Sequence, residues 1–124
     1  MTTMYTPDHE WINIEDHEAA VVGITQHAQD ALGDVVFVEL PELGATLKQG
    51  DAAGVVESVK AAADVKMPVS GEIVEVNEKL RAEPALANSD PMGEGWFFKV
   101  RVADMAEFER LMDGPGYDAL LKTL

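Results

Sequence analysis

The chain has 124 residues, of which 47% are apolar and 26% charged, with a formal net charge of −14 and no cysteine. That length fits one domain with one core, which buries roughly 60 to 70% of the surface of the unfolded chain, and the composition sets aside disordered and fibrous classes. The acidity argues against nucleic acid, whose phosphates need a face rich in Lys and Arg, and the missing cysteine excludes disulfides, thiolate zinc sites and a cysteine nucleophile.

Taken in order, Met1-Thr2-Thr3-Met4-Tyr5 has no basic region followed by an apolar run, so no targeting peptide is read there. No apolar run reaches the length of a membrane span, and a cytoplasmic location is expected. Tyr5 to Glu10 reads as an extended lead-in held open by Pro7, followed by a strand at Trp11 to Ile14. A polar turn, Glu15-Asp16-His17-Glu18, then joins it to a second strand at Ala19 to Ile24. Thr25 is placed to cap a short helix over 26–32, with Gly33 as its left-handed terminator. The run Asp34 to Leu40 is nearly all apolar, which predicts a strand buried on both faces or centrally placed. Gly44 and Gly50 mark tight turns around Thr46-Leu47-Lys48.

Two β-prone runs, Val55 to Val59 and Ala61 to Met67, meet at Lys60. No Gly, Asn or Pro there accounts for a turn. Pro68 to Gly71 reads as a turn and Glu72 to Asn77 alternates as a half-exposed strand. Leu80 to Leu86 is expected to hold a helical turn with Pro84 near its start, and 88–95 a loop. Trp96 to Val102 returns as a strand. Asp104 and Glu107 have the spacing of a capping box ahead of Phe108, Leu111 and Met112. Gly114-Pro115-Gly116 is expected to stop that helix, and Tyr117 to Leu124 to pack through Leu120, Leu121 and Leu124. Short strands punctuated by Gly and Pro predict a mainly β fold, a compact barrel or sandwich of small antiparallel sheets. The expected organisation is a single domain, 1–124, with a core over about 5–102 and a helical segment over about 104–124.

Most exposed lysines are only solvated charges. The setting of Lys60 differs: small uncharged neighbours Val59 and Ala61, Glu57 three residues before it, and a Pro-Val-Ser-Gly turn after it, as in the biotinyl and lipoyl carrier domains, where a hairpin holds a lysine out for amide formation. The three histidines, His9, His17 and His27, lack metal-ligand spacing, and no metal is expected. Trp11, Phe37, Trp96, Phe97 and Phe98 read as core and rim aromatics. No nucleophile with a base and no phosphate cradle can be assembled, so a non-catalytic protein is expected.

The blocks Tyr5-Thr6-Pro7-Asp8-His9-Glu10-Trp11, Gly23 to Gln29, Leu32 to Pro41, Glu57-Ser58-Val59-Lys60-Ala61 and Gly93-Glu94-Gly95-Trp96 resemble the glycine cleavage system H protein family, over Tyr5 to about Tyr117. Ala63, where serine is common, and Lys66-Met67 depart from the pattern. The resemblance implies a lipoyl-domain-like barrel-sandwich hybrid carrying lipoate in amide linkage on Lys60, with Glu57, Ser58, Val59 and Ala61 as the recognition surface around it. It also implies that the arm accepts an aminomethyl group from glycine at a pyridoxal-phosphate-dependent glycine decarboxylase (the P protein) and carries it to a tetrahydrofolate-dependent aminomethyltransferase (the T protein). Dihydrolipoamide dehydrogenase (the L protein) reoxidises the arm, and lipoate-attachment enzymes act beforehand. Glu10 and Asp64 match positions of an acidic cleft that would shelter the carried amine. The acidic surface suits serial docking on basic patches of partners, and a monomer is expected. Rival readings are a biotin carrier, disfavoured because Val59 and Ala61 stand where methionine commonly flanks the lysine; an acyltransferase arm domain of a 2-oxoacid dehydrogenase; and an H-like protein relaying lipoate to other proteins.

Overall fold

The computed structural model describes residues 2–16 and 18–124. The chain runs β1 (Thr2–Tyr5), β2 (Glu10–Ile14), β3 (Ala20–Ile24), α1 (Gln26–Leu32), β4 (Val35–Glu39), β5 (Thr46–Leu47), β6 (Ala52–Ser58), β7 (Ala62–Lys66) and β8 (Gly71–Val76). It continues through α2 (Glu78–Ala82), α3 (Leu86–Ser89), β9 (Phe98–Val102), α4 (Met105–Glu109) and α5 (Gly114–Leu121). All strand pairs are antiparallel. A six-stranded sheet has the order β1-β2-β3-β9-β8-β5, and a three-stranded sheet the order β4-β6-β7. The mainly β sandwich of small sheets with short peripheral helices agrees with the expected fold class.

The two sheets close on one apolar cluster. Ile12, Val22, Phe98, Val100 and Ile73 come from the large sheet, Val38, Val56 and Val65 from the small one, and Leu80 and Phe108 from helices. Alternation along the strands delivers these side chains to one face, and burying each contributes about 1.5–3 kcal/mol. Phe108 lies beyond β9, so the C-terminal segment shares this core. Gly23 is required by the close packing of β2 on β3: a Cβ there would sit 2.8 Å from the Trp11 indole.

Several sequence expectations are corrected. β1 was not foreseen, and residues 6–9 form a turn rather than an extended lead-in, with His9 at φ 71°. The polar turn at 15–18 includes His17, which lies outside the described residues. β4 is an edge strand, not a doubly buried one: a register shift between Val35 and Phe37 leaves Val36 57% and Phe37 50% exposed. An extra residue in one strand turns adjacent side chains to the same side, which apolarity alone does not reveal. Pro84 separates α2 from α3, and Asn88 and Ser89 belong to α3 rather than to a loop.

The C-terminal helices also differ. Asp104 caps α4 through the Ala106 N–H at 2.9 Å. Glu107 does not reach back to complete a capping box, because its carboxylate accepts from the Ser70 N–H at 2.7 Å and the Ser70 hydroxyl at 3.0 Å. Gly114-Pro115-Gly116 starts α5 instead of stopping a helix. Asp113 is the cap and Pro115 lies in the first turn, where a missing N–H costs nothing. The buried anchor of α5 is Tyr117, while Leu124 is 70% exposed.

Candidate functional site

The lysine turn is built by a serine. Strands β6 and β7 pair down to Glu57 and Ala62. There the Ser58 N–H donates to the Ala61 carbonyl at 2.7 Å, and Ser58 Oγ accepts from the backbone N–H groups of Lys60 and Ala61 at 3.1 and 3.0 Å. The side chain of Ser58 thus replaces the glycine or asparagine that the sequence lacks, a role serine hydroxyls take in turns. Val59 donates its N–H to the Asp34 carbonyl at 3.0 Å, which ties the turn to the chain entering β4. Lys60 and Ala61 are exposed, Val59 is 68% exposed, Glu57 points to solvent one step before the turn, and Lys60 makes no ion pair among the described residues.

Replacing Ser58 by Ala removes the acceptor of two turn amides. With a net value of about 0.5–1.5 kcal/mol for each hydrogen bond, the expected result is local loosening. Hydrogen exchange at the Lys60 and Ala61 amides should quicken about tenfold while core strands are unchanged. Unchanged exchange at those two amides would assign the turn to the backbone alone.

Beneath the turn lies the end of α1. Its N-terminus is capped as the sequence predicts, with the Ala28 N–H donating to Thr25 Oγ1 at 3.2 Å, and its C-cap Gly33 has φ 78° and ψ −158°. That region is essentially confined to glycine. The bare Cα also makes room for the lysine stem: a Cβ on Gly33 would stand 3.2 Å from Lys60 Cε. Asn88, read from sequence as a loop residue, holds this platform. Its Nδ2 donates to the Gly33 carbonyl at 2.8 Å and to Gln29 Oε1 at 3.0 Å, and its Oδ1 accepts from the Val35 N–H at 2.8 Å. Nothing in the sequence around Asn88 signals a bridge across more than fifty residues.

Next to Gly33 opens a cavity of about 210 Å³ lined by Asp8, His9, Glu10, Ile24, Ala28, Ala31, Leu32, Val56, Ala63, Asp64 and Val65. Glu10 and Asp64 are therefore brought to one cavity. Glu10 opens β2 and is only 3% exposed, whereas Asp64 on β7 is exposed. The Thr6 hydroxyl donates to Glu10 Oε1 at 2.6 Å, and the Lys66 N–H to Oε2 at 3.4 Å. Burial pushes the Glu10 carboxyl above its ordinary value; the Thr6 and Lys66 hydrogen bonds oppose this, Asp8 adds to it and the Lys66 charge opposes it. A larger hollow of about 360 Å³ lies between residues 39–47 and Ala52 to Val55, at the opposite end of β6 from Lys60.

His9 and His27 are not isolated surface groups. The rings of His9 and His27 lie against each other, tilted by 41° with centroids 4.4 Å apart, and His9 Nδ1 lies 2.7 Å from the Tyr117 hydroxyl. That hydroxyl is also 2.7 Å from Thr25 Oγ1. Spacing rules written for metals do not find such a pairing, because it joins residues brought together by the β2–β3 register and by α5.

An exposed amine on a rigid turn suits acylation. The apolar walls contributed by Ile24, Ala28, Ala31, Leu32 and Val56 suit a short hydrocarbon chain such as that of lipoate, and Leu32 adjoins Gly33, on which the lysine stem rests. Carboxylates at Glu10 and Asp64 suit a cationic terminus.

Comparison with known proteins bears on this arrangement. The family model described as glycine cleavage H-protein matches residues 3–124. A glycine cleavage system H protein of Bradyrhizobium diazoefficiens is 59% identical over 118 residues, covering 95% of this chain and 96% of that protein. One from Thermotoga maritima is 58% identical over 113 residues, covering 91% and 90%. The crystal structure of a glycine cleavage system H protein from Mycobacterium marinum superposes with a TM-score of 0.89 at 40% identity, covering 99% of this chain and 98% of that one. With a matching fold, a family model spanning nearly every residue and relatives this similar along their length, the chain belongs to the glycine cleavage H-protein family.

Proposed function

We propose that this chain is the lipoate carrier of a glycine cleavage system, with lipoate in amide linkage to Lys60 and residues 1–124 acting as one carrier unit. The observation that carries the reading is the serine-closed turn, which presents Lys60 exposed and without an ion pair among the described residues, its stem over Gly33 and so one residue from Leu32 in the wall of an apolar cavity with acidic residues. Lipoate supplies, when bound, a dithiolane whose reversible two-electron reduction serves the partner enzymes.

The chain's own residues do the rest. Ser58 and Asp34 hold the turn, while Glu57, Val59 and Ala61 form the surface an attachment enzyme reads. Acylation removes the Lys60 charge and leaves a tethered arm, which raises local concentration at each docked partner without tight binding. Glu10 and Asp64 hold the amine of the carried aminomethyl group as a cation. The inferred partners are the glycine decarboxylase, the tetrahydrofolate-dependent aminomethyltransferase, dihydrolipoamide dehydrogenase and the lipoate-attachment enzymes, met by a monomeric carrier. Among the described residues no helix is long and apolar enough to cross a membrane.

The test is glycine-dependent carbon dioxide exchange with the cognate decarboxylase. Lipoylated protein is expected to support exchange and unmodified protein to support none. With a net charge of −14, docking should weaken as the screening length falls from about 10 Å at 0.1 M salt to about 3 Å at 1 M. KM for the carrier therefore rises several-fold while kcat holds. A lipoylated protein that supports no exchange would leave lipoate relay as the better reading.

A further inference from the structure

His9 is the one non-glycine among the described residues with positive φ, at 71°. A side chain held in that region is strained, and such strain clusters at ligand clamps. A glycine would relieve it, so the backbone does not explain the imidazole. Two neighbours hold the ring and two hydrogen bonds hold its backbone. Its Nδ1 meets the Tyr117 hydroxyl at 2.7 Å and the His27 ring lies tilted against it with centroids 4.4 Å apart, while the Thr25 N–H donates to the His9 carbonyl at 3.0 Å and the His9 N–H donates to the Thr6 carbonyl at 3.1 Å. His9 lines the same cavity as Glu10 and Asp64.

We propose that His9 is a binding residue for the primary ammonium group of the carried cargo, completing with Glu10 and Asp64 a three-sided site whose imidazole is set as an acceptor by the Tyr117 and Thr25 hydroxyls. The inference rests on the reading that the carried amine shelters in this cavity. An ammonium group has three donors and no acceptor, so two carboxylates leave one N–H to be satisfied. When Tyr117 donates to Thr25 Oγ1, at 2.7 Å, the His9 Nδ1–H donates to Tyr117 and the lone pair lies on Nε2. The imidazole must be neutral to accept. Burial pushes its basicity down, His27 adds to this and Asp8 opposes it.

The charged and titratable groups around the ring are Asp8 and Glu10 on its own segment, Tyr5 on β1, His27 on α1, Asp64 and Lys66 on β7, and Tyr117 and Asp118 on α5. As pH falls, His9 gains a proton and becomes a competitor of the ammonium instead of its acceptor. Protonation of Glu10 weakens the site in the same direction, so variants are needed to separate the two. Loss of the cargo consumes one water and returns a thiol, formaldehyde and ammonium. It starts from the free amine, whose lone pair expels the sulfur. A cavity that keeps the amine protonated therefore keeps the cargo.

Retention of the cargo on the lipoylated protein, followed by intact mass from about pH 5.5 to 8 across the unperturbed histidine value, tests the proposal. His9→Phe is expected to lose cargo about tenfold faster than native at neutral pH. His9→Gln, which keeps an acceptor but does not titrate, is expected to retain it nearly as native does while lacking the histidine step in the pH profile. Tyr117→Phe, which preserves the ring stacked on Tyr5 at 4.7 Å, should fall between them. A second readout is independent of retention: by nitrogen NMR the His9 ring titrates at lower pH when the cargo is present. Native protection with an unaltered profile in His9→Phe, or a His9 titration indifferent to the cargo, overturns the assignment and leaves the shelter standing. Cargo lost from native protein as fast as from free dihydrolipoamide overturns the shelter reading and this assignment with it.

Discussion

Lys60→Arg is expected to fold like the native chain and to carry nothing. Lys60 is exposed and makes no ion pair among the described residues, so the fold loses no packing or pairing when its end group changes. The backbone of the turn is held by Ser58 and Asp34 and not by the lysine side chain. Arginine retains the charge, but a guanidinium that stays protonated in proteins is no acceptor for an acyl group. Glycine-dependent exchange should therefore fall to the level of a reaction without carrier, while the melting temperature stays within the range of ordinary surface substitutions, about 0.5 kcal/mol. Residual exchange in this variant would mean that another lysine accepts the arm.

Removing the acidic cavity groups is expected to have opposite effects on cargo and on fold. Each charge-assisted hydrogen bond to an ammonium contributes about 1.5–3 kcal/mol. Glu10→Gln or Asp64→Asn alone should then speed loss of the carried amine by about 10- to 100-fold, and the two together by more. Glu10 itself is a burden to the empty protein. Its carboxyl is buried and its proton affinity is raised by that burial, so the folded state binds a proton more tightly than the unfolded state does. Stability linked to Glu10 is thus fully present below the unfolded value, 4.5, and declines as pH rises through the raised folded value. Glu10→Gln should be more stable than native at neutral pH, with the advantage vanishing below about pH 4.5. Denaturant melts at the two pH values check the sign. A variant that is less stable at pH 7 would show that the Thr6 and Lys66 hydrogen bonds outweigh desolvation.

These two expectations reach back to different layers of information. The lysine turn was legible because local composition carries it: two β-prone runs with small residues at the junction. Why the chain turns there was not, since Ser58 acts through its hydroxyl on amides two and three residues on, and serine is common in exposed turns of every kind. The helix at Gln26–Leu32 was legible from Thr25 and Gly33 for the same local reason. By contrast, Glu107 has the spacing of a capping box, yet tertiary structure gives its carboxylate the Ser70 amide and hydroxyl. Pro115 could end one helix or begin the next, and only Asp113, whose side chain accepts from the Gly116 N–H at 2.8 Å, decides for the second. The apolar run of β4 gives no hint of the bulge that turns Val36 and Phe37 outward.

The acidic cavity shows the same division. That Glu10 and Asp64 belong together came from likeness to a family and not from periodicity. The structure adds their unequal burial, the lysine stem over Gly33, and the Asn88 bridge that holds Gly33 and Val35 in place. Bridges of this kind join residues more than fifty positions apart and leave no local pattern.

Intact mass of the native chain made in a lipoate-competent cell, followed by peptide mapping, is the most direct test of the carrier assignment. A single lipoyl increment on the peptide containing Lys60, absent from Lys60→Arg, is the predicted result. An unmodified chain from such a cell, or an increment that maps to a different lysine, would contradict it.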